Sequence, residues 1–270
     1  MPAGQIHSNF ALNTRLSAPR YDTWCKIQVL NQQGSERPFR EDQGVHMAEF
    51  VFLSEKNRER YLRIISPVGK LMVRLGVHPN VLSLTGLVLS AFAGLIYSAG
   101  SFFWGAWVLV LAGTCDALDG QLARQGKKDS SFGAFFDSTL DRFGEVFVFL
   151  GLAWHFSGGS VFWNFKAGNP ADVQSPLAVL LIILAIAGSF MVSYTRARAE
   201  GLGVSCEIGL MQRPERITFL IIGSLVASSP VIGHFIMKLT LLLLAGLSNF
   251  TAIHRMIYVK KELFRKTRTQ

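Results

Sequence analysis

The sequence predicts an all-α integral membrane protein in which six transmembrane helices follow an amphipathic interfacial helix. Half of its 270 residues are apolar and only 17% are charged, whereas a soluble domain carries about 25% charged residues. Six apolar stretches follow residue 78, each close to the roughly 20 residues that a helix needs to cross the hydrocarbon core. We place the six spans at residues 80–99, 102–124, 132–156, 176–199, 214–233 and 235–258.

The segment ahead of the spans has the pattern of a helix that lies in the membrane interface. Residues 54–77 interleave apolar side chains such as Ile64 and Leu71 with basic ones such as Arg63 and Lys70. A helix of this kind turns its Lys and Arg toward anionic headgroups and its other face toward the acyl chains. Pro67 is expected to kink this helix or to divide it.

The first 53 residues form a polar segment, which we expect to be a poorly ordered tail. Residues 1–46 contain no apolar run of the kind that a cleavable signal peptide requires. Met47 opens a more typical start, so an over-extended start assignment is an alternative, which finding residues 1–46 intact in the native protein would contradict. We divide the chain into a polar tail (1–53), an interfacial helix (54–77), a six-helix domain (78–258) and a basic C-terminal tail (259–270).

The charge distribution predicts the orientation of the chain in the membrane. The formal net charge is +9, but the basic residues form no single stripe, so we do not expect nucleic acid as a partner. Of the 27 Lys and Arg residues, 24 lie in residues 1–78, in the loops at 124–129 and 196–216, or after residue 254. The other three are Arg142, Lys166 and Lys238. By the positive-inside rule both termini lie on the cytoplasmic side. The expected location is the cytoplasmic (inner) membrane of a bacterium.

Four aspartates lie inside or beside the apolar stretches. Asp116 and Asp119 are three residues apart and Asp137 and Asp141 are four apart, so each pair shares one helix face. A carboxylate at bilayer depth costs roughly 2.5–3.5 kcal/mol, which makes it a functional-site hypothesis by default. Two such helices facing each other would gather four carboxylates around a hard divalent cation. A solvated charged loop, a proton relay and a cation transporter are the alternatives.

The residues around the aspartates favour chemistry on a phosphate over ion transport. Metal-bound carboxylates stabilise charge that develops on a phosphate or diphosphate. Gly120 and Gly133 permit close approach of a nucleotide to the backbone, and the guanidinium of Arg124 suits phosphate oxygens. A cation transporter that uses the four carboxylates does not need this pattern of glycines and arginine.

The spacing D-x2-D-G-x2-A-R-x8-G-x3-D-x3-D resembles the signature of the CDP-alcohol phosphotransferases, integral membrane enzymes of phospholipid synthesis. The resemblance extends over about residues 55–258. It implies six transmembrane helices, a homodimer and a requirement for Mg²⁺ or Mn²⁺. It also implies transfer of a phosphatidyl-type group from a CDP-linked lipid to an alcohol, with release of CMP. The signature positions are Asp116, Asp119, Gly120, Ala123, Arg124, Gly133, Asp137 and Asp141.

The resemblance also implies roles for these residues. Asp116, Asp119 and Asp137 are expected to bind the metal, and Asp141 to bind it or to act as the general base that deprotonates the acceptor hydroxyl. The segment with Asn80 and Ser83 is similar to the family's Pro-Asn-x-x-Thr run, which helps to close the nucleotide pocket. The CDP-lipid donor is therefore expected at Asn80, Ser83, Asp116, Gly120, Ala123, Arg124 and Gly133.

Arginines near the predicted cytoplasmic ends of three later helices form a candidate anion pocket. Positive-inside charge without any ligand is the alternative. The runs at 193–200 and 213–216 resemble those that bind a phosphate-bearing acceptor in the phosphatidylinositol phosphate synthase branch of the family, with Arg196 in place of a Lys. The candidates for the acceptor phosphate are Ser193, Arg196, Arg213, Arg216 and Arg255.

These observations together lead to an expected reaction. A phosphatidyl group would pass from a CDP-diacylglycerol-like donor to a phosphorylated polyol, with inositol 1-phosphate as the first candidate. Glycerol 3-phosphate is the alternative acceptor, which would make the protein a phosphatidylglycerophosphate synthase. The expected partners are the donor, the acceptor, membrane lipids and a second copy of the chain.

Overall fold

The computed structural model describes residues 55–126, 130–159, 174–229 and 231–269. The predicted polar tail and the alternative start at Met47 lie outside these ranges, as do the side chains of Ala123 and Arg124. The described residues form helices and connecting turns, with no strand among them. The helices are α1 (Glu55–Arg74), α2 (Pro79–Ser98), α3 (Phe102–Gly126), α4 (Ser131–Phe156), α5 (Pro176–Glu200), α6 (Arg213–Val226) and α7 (Gly233–Thr269).

Four of these helices are long and apolar enough to cross a membrane, namely α2, α3, α5 and α7. Helix α4 has the length but carries four charged residues, Asp137, Asp141, Arg142 and Glu145. Helix α6 has only 14 residues, fewer than the roughly 17 that a crossing requires. The fold is thus all-α and consistent with an integral membrane protein, while six crossings stay a prediction.

Side-chain caps define the starts of the two helices that begin beside the aspartates. Nδ1 of His78 accepts a hydrogen bond from the backbone N–H of Asn80 at 3.3 Å, just ahead of α2. Ser130 Oγ accepts one from the N–H of Gly133 at 2.9 Å and begins α4 in the same way. Such caps satisfy N–H groups that lack a partner in the first helical turn. They therefore fix where the signature residues of these helices lie.

Helices α2 and α4 cross with their backbones in close contact. A Cβ atom on Gly151 would overlap the carbonyl oxygen of Gly94, and one on Gly94 would overlap that of Phe147. Small residues permit this approach between helices in membranes. Next to this crossing, Tyr97 of α2 and Leu152 of α4 belong to the main hydrophobic core, to which α3, α5, α6 and α7 also contribute.

Helix α1 packs one face on α3 and exposes the other. Ile65 is buried in a small cluster with Leu118 and Leu122, while Ile64 remains 74% exposed. The helix is continuous through Pro67, so the expectation that this proline divides it is wrong. The two-faced pattern agrees with the predicted amphipathic helix, and its place in the membrane interface stays a prediction.

The last two helices differ in length from the predicted spans. Helix α6 ends at Val226 rather than at residue 233, because a turn over Ala227 and Ser228 follows it. Helix α7 runs for 37 residues through the segment that was predicted as a basic tail. Its extension continues because Val259 and Leu263 pack against Val204 and Cys206 of the loop before α6. That cluster gives the extension an apolar face to bury.

The glycine contact predicts the effect of a single methyl group. Gly151→Ala is expected to lower the free energy of unfolding by about 1–3 kcal/mol, because overpacking forces the two backbones apart. Gly246→Ala is the control, since nothing lies within 4 Å of the added Cβ on α7. Thermal unfolding in detergent measures both. An unchanged melting temperature for Gly151→Ala would contradict the close crossing.

Candidate active site

Three of the four signature aspartates converge between α3 and α4. One carboxylate oxygen from each of Asp116, Asp119 and Asp137 lies within 4.8 Å of the other two. Hard divalent cations take oxygen ligands at about 2.0–2.6 Å, so oxygens on opposite sides of one ion lie up to about 5 Å apart. The separations and the carboxylate chemistry therefore fit a divalent metal. Asp116 and Asp119 are three residues apart and share one face of α3, as their spacing predicts. That face meets Asp137 of α4.

Ser83 on α2 contacts this cluster directly. Its hydroxyl donates a hydrogen bond to Oδ2 of Asp119 at 2.7 Å, and both side chains are buried. A bond of this kind orients a carboxylate that would bind a metal. The Oδ1 atom of Asn80 lies near Gly133, 3.8 Å from where a Cβ would be. The start of α2 thus contacts the cluster through Ser83 and lies near the start of α4 at Asn80. A role of these two residues in closing a pocket stays a prediction.

Asp141 lies on the far side of the site, where Arg213 joins it to Asp116. Nη1 of Arg213 is 2.8 Å from Oδ1 of Asp116 and 2.6 Å from Oδ2 of Asp141. Arginine stays protonated in proteins, and the two carboxylates beside its guanidinium stabilise that charge. The first residue of α6 therefore brings a permanent positive charge into the carboxylate site.

A narrow cleft opens at this site. Its polar end is formed by the four aspartates, Ser83 and Arg213, and its walls include Leu87, Leu109 and Ile217. A second cleft shares Leu109, Arg213 and Ile217 and continues past apolar side chains to Glu145 and Arg216. Charged groups at one end and apolar walls beyond suit an amphiphilic substrate.

The five candidates for the acceptor phosphate occupy different environments. Arg213 lies at the aspartates, and Arg196 is 43% exposed, with Glu200 as its partner at 2.8 Å. Ser193 is half-buried one turn earlier on α5. Arg216 and Arg255 are both buried and donate hydrogen bonds to protein groups.

Arg255 of α7 holds the loop that leads into α6. Its Nε donates to the carbonyl of Ile208 at 2.7 Å and its Nη1 to that of Val192 at 2.6 Å. Thr251, one turn earlier, accepts a hydrogen bond from the N–H of Met211 at 3.3 Å. The loop that ends in Arg213 is therefore fixed from α7.

The sequence analysis missed Glu145, which lies one turn after Asp141 on α4. Its carboxylate makes two contacts with Arg216, at 2.9 and 3.1 Å, and accepts a hydrogen bond from Ser189 at 2.6 Å. The available signal was its spacing, because position i+4 from Asp141 shares the face that bears the signature carboxylates. Among the predicted donor residues, Gly120 lies in α3 next to Asp119.

The contact between Ser83 and Asp119 predicts how metal affinity depends on a hydroxyl. Ser83→Ala is expected to weaken Mn²⁺ binding by about 10–100-fold, because the Asp119 carboxylate loses the group that orients it. Thr85→Val is the control, since its hydroxyl bonds only to the carbonyl of Val81 on the same helix. Titration followed by electron paramagnetic resonance measures free Mn²⁺. Equal affinities for the two variants would show that Ser83 does not orient the site.

Comparison with known proteins places this geometry in a family. A family model described as CDP-alcohol phosphatidyltransferase matches residues 76–250. An archaetidylinositol phosphate synthase from Methanothermobacter thermautotrophicus is 35% identical over 201 residues, covering 74% of this chain and 91% of that protein. A phosphatidylinositol phosphate synthase from Mycolicibacterium smegmatis is 32% identical, covering 64% of this chain and 72% of that protein.

Solved structures of phosphatidylinositol phosphate synthase from Mycobacterium tuberculosis are also similar. The crystal structure with CDP-DAG bound matches with a TM-score of 0.61 and 29% identity, covering 73% of this chain and 94% of that one. The complex with manganese and citrate matches with a TM-score of 0.60, covering 72% and 87%. That manganese complex and the aspartate cluster point to a divalent metal here. The cation-transporter alternative is set aside, because the chain belongs to the CDP-alcohol phosphatidyltransferase family, a family of enzymes of phospholipid biosynthesis.

Proposed function

We propose that this enzyme transfers a phosphatidyl group from a CDP-diacylglycerol-like donor to a hydroxyl of inositol 1-phosphate, releasing CMP and forming phosphatidylinositol phosphate. The observation that carries the proposal is the arrangement of Asp116, Asp119 and Asp137 around one point, with Asp141 and Arg213 beside it. The names of the similar proteins support an inositol phosphate acceptor.

The reaction needs an activated hydroxyl and a stabilised leaving group. A divalent cation bound by Asp116, Asp119 and Asp137, either Mg²⁺ or Mn²⁺, would neutralise charge on the diphosphate and on departing CMP. Asp141 accepts the proton of the acceptor hydroxyl, whose oxygen attacks the phosphorus nearest the lipid. The bond from that phosphorus to the bridging oxygen breaks, and CMP leaves with the electron pair. We assign Asp141 to general-base work because it lines the same cleft but does not belong to the cluster of Asp116, Asp119 and Asp137.

The donor and the acceptor reach this point from different sides. We place the cytidine diphosphate against the signature segment. The residues proposed to contact it are Asn80, Ser83, Asp116, Gly120, Ala123, Arg124 and Gly133. The lipid chains follow the apolar walls of the cleft, which supports a donor drawn from the bilayer. An acceptor that carries a phosphate is water-soluble and enters from the polar end.

Arg213 is the best-placed group for the acceptor phosphate. Its guanidinium already lies 2.6 Å from Asp141, so a phosphate bound there would hold the polyol hydroxyl next to the general base. Ser193 and Arg196 on α5 complete the proposed anion site. All four arginines have protein partners, but Arg216 and Arg255 are buried. The side chains of Arg213 and Arg196 are 25% and 43% exposed, so these are the two arginines of the set that a phosphate can reach.

The proposed orientation has six crossings, with α4 and α6 counted, and both termini on the cytoplasmic side. The concentration of Lys and Arg in the termini and in the loops at 124–129 and 196–216 supports it. The active site would then lie near the cytoplasmic face of the inner membrane, within reach of soluble substrates. We also propose a homodimer, on the resemblance to the family alone.

An acceptor panel tests the substrate. Membranes containing the enzyme, CDP-diacylglycerol and Mg²⁺ or Mn²⁺ receive inositol 1-phosphate, glycerol 3-phosphate, serine or inositol, and mass spectrometry identifies the lipid product. We expect product from the phosphorylated acceptors alone, with inositol 1-phosphate the most efficient. Efficient transfer to glycerol 3-phosphate would support the alternative, because the arginines recognise the phosphate rather than the polyol. Transfer to unphosphorylated inositol would contradict the proposed anion site.

Asp141→Asn tests the general base. We expect kcat to fall by at least about 100-fold, because the amide cannot take the hydroxyl proton, a transfer that contributes about 10²–10⁴-fold. Glu262→Gln makes the same replacement of a carboxylate by an amide in the distant extension of α7, where its partner is Arg265, and should retain activity. Steady-state rates for both variants give the comparison. Full activity of Asp141→Asn would remove Asp141 from the mechanism.

A further inference from the structure

A buried ion pair lies one helical turn away from two residues of the proposed site, Asp141 on α4 and Arg213 on α6. Arg216 and Glu145 contact each other through two nitrogen–oxygen pairs at 2.9 and 3.1 Å. Their side chains are only 4% and 9% exposed. Ser189 of α5 donates to the same carboxylate at 2.6 Å, and Arg216 Nη1 donates to the carbonyl of Met211 at 3.0 Å. Helices α4, α5 and α6 therefore meet at the Glu145 carboxylate, and Arg216 links this pair to the loop before α6.

We propose that Glu145 is a positioning residue for the transferase reaction and that Arg216 is its partner rather than a ligand of the acceptor phosphate. The pair would fix the first turn of α6, which places Arg213 between Asp116 and Asp141. This inference rests on the proposed function, because Arg213 matters only if the site catalyses phosphatidyl transfer.

The hydrogen bonds of Arg216 argue against a substrate contact. Its Nε and Nη2 face Glu145, and Nη1 faces the Met211 carbonyl, so all three nitrogens have protein partners. A phosphate that reached Arg216 would have to displace a carboxylate from a nearly closed site. The cleft beside it has mainly apolar walls, such as Val148, Phe149 and Leu220, and it also contains the carboxylate of Glu145, whose negative charge would repel a phosphate.

The position of Arg213 explains how the pair would act at a distance. Arg213 and Arg216 are three residues apart at the start of α6, so both guanidiniums leave the same side of one helical turn. One meets the signature aspartates and the other meets Glu145. A shift of this turn would move Nη1 of Arg213 away from Asp141, and a misplacement of about 1 Å can cost about 100-fold in rate.

A double-substitution cycle tests this assignment. Removing one partner leaves a buried charge uncompensated, whereas replacing both partners by uncharged residues of similar volume leaves no buried charge. The four proteins are the wild type, Glu145→Gln, Arg216→Met, and the double variant Glu145→Gln/Arg216→Met, which combines the two single substitutions. Glu262→Gln is the control, because it removes the charge from an exposed ion pair. Each protein is assayed in detergent with CDP-diacylglycerol, Mn²⁺ and the acceptor that the wild type prefers.

A positioning role predicts a split between kcat and the KM of the acceptor. Glu145→Gln and Arg216→Met should each lower kcat by about 100-fold, while the acceptor KM changes by less than about threefold. The double variant should recover kcat to within about fivefold of wild type. Glu262→Gln should behave as wild type.

Two results would overturn the assignment. An acceptor KM raised by about tenfold or more in both Arg216→Met and the double variant would show that Arg216 binds the acceptor. Unchanged kcat in Glu145→Gln would show that the pair does not position the site.

If the wild type transfers to no acceptor, the proposed function fails, and thermal unfolding of the same four proteins then tests the pair alone. If the melting temperature falls in each single variant and recovers in the double variant, the pair still holds the first turn of α6 in place. If the decrease in the double variant equals the sum of the two single decreases, that structural role is overturned as well.

Discussion

The contact of one guanidinium nitrogen with two carboxylates is the interaction on which the site depends. Nη1 of Arg213 lies between Asp116 of α3 and Asp141 of α4, although Arg213 belongs to α6. Four carboxylates in an apolar setting repel one another strongly, because the low dielectric screens their charges poorly. A cation built into the protein offsets part of that repulsion and joins three helices at the reaction centre. The aspartates can then lie close enough together to share a metal ion.

The helix packing determines whether the polar contacts can form. Ser83 reaches Asp119 only because α2 lies against both α3 and α4. The approach of α2 to α4 requires Gly94 and Gly151, whose lack of side chains lets backbone meet backbone. The caps at His78 and Ser130 then set the starts of the two helices, which places Asn80 near Gly133. Local chain geometry and long-range packing therefore specify the same pocket.

The sequence predicted the parts of the site that follow from local periodicity. Spacings of three and four residues place Asp116 with Asp119 and Asp137 with Asp141 on helix faces, and the structure brings three of these carboxylates together. The pairing of Glu145 with Arg216 joins residues 71 positions apart, so no local pattern reveals it. For the same reason, the sequence does not show which arginines near the loops are accessible to a substrate and which are buried. Arg196 is exposed and Arg255 is buried against carbonyls, but in the sequence each is a basic residue near the predicted cytoplasmic face.

The short sixth helix shows how one turn connects chemistry with scaffold. Helix α6 begins with Arg-Pro-Glu-Arg, and Pro214 suits this first turn because its missing N–H would have no helical partner there. Arg213 then extends to the signature aspartates, and Arg216 extends to Glu145 beneath them. The loop before this turn is held by Arg255 and Thr251 of α7. Any motion of α7 relative to α4 is therefore opposed at both ends of the Arg213 turn, so hydrogen bonds within the protein hold the charge beside the aspartates in place.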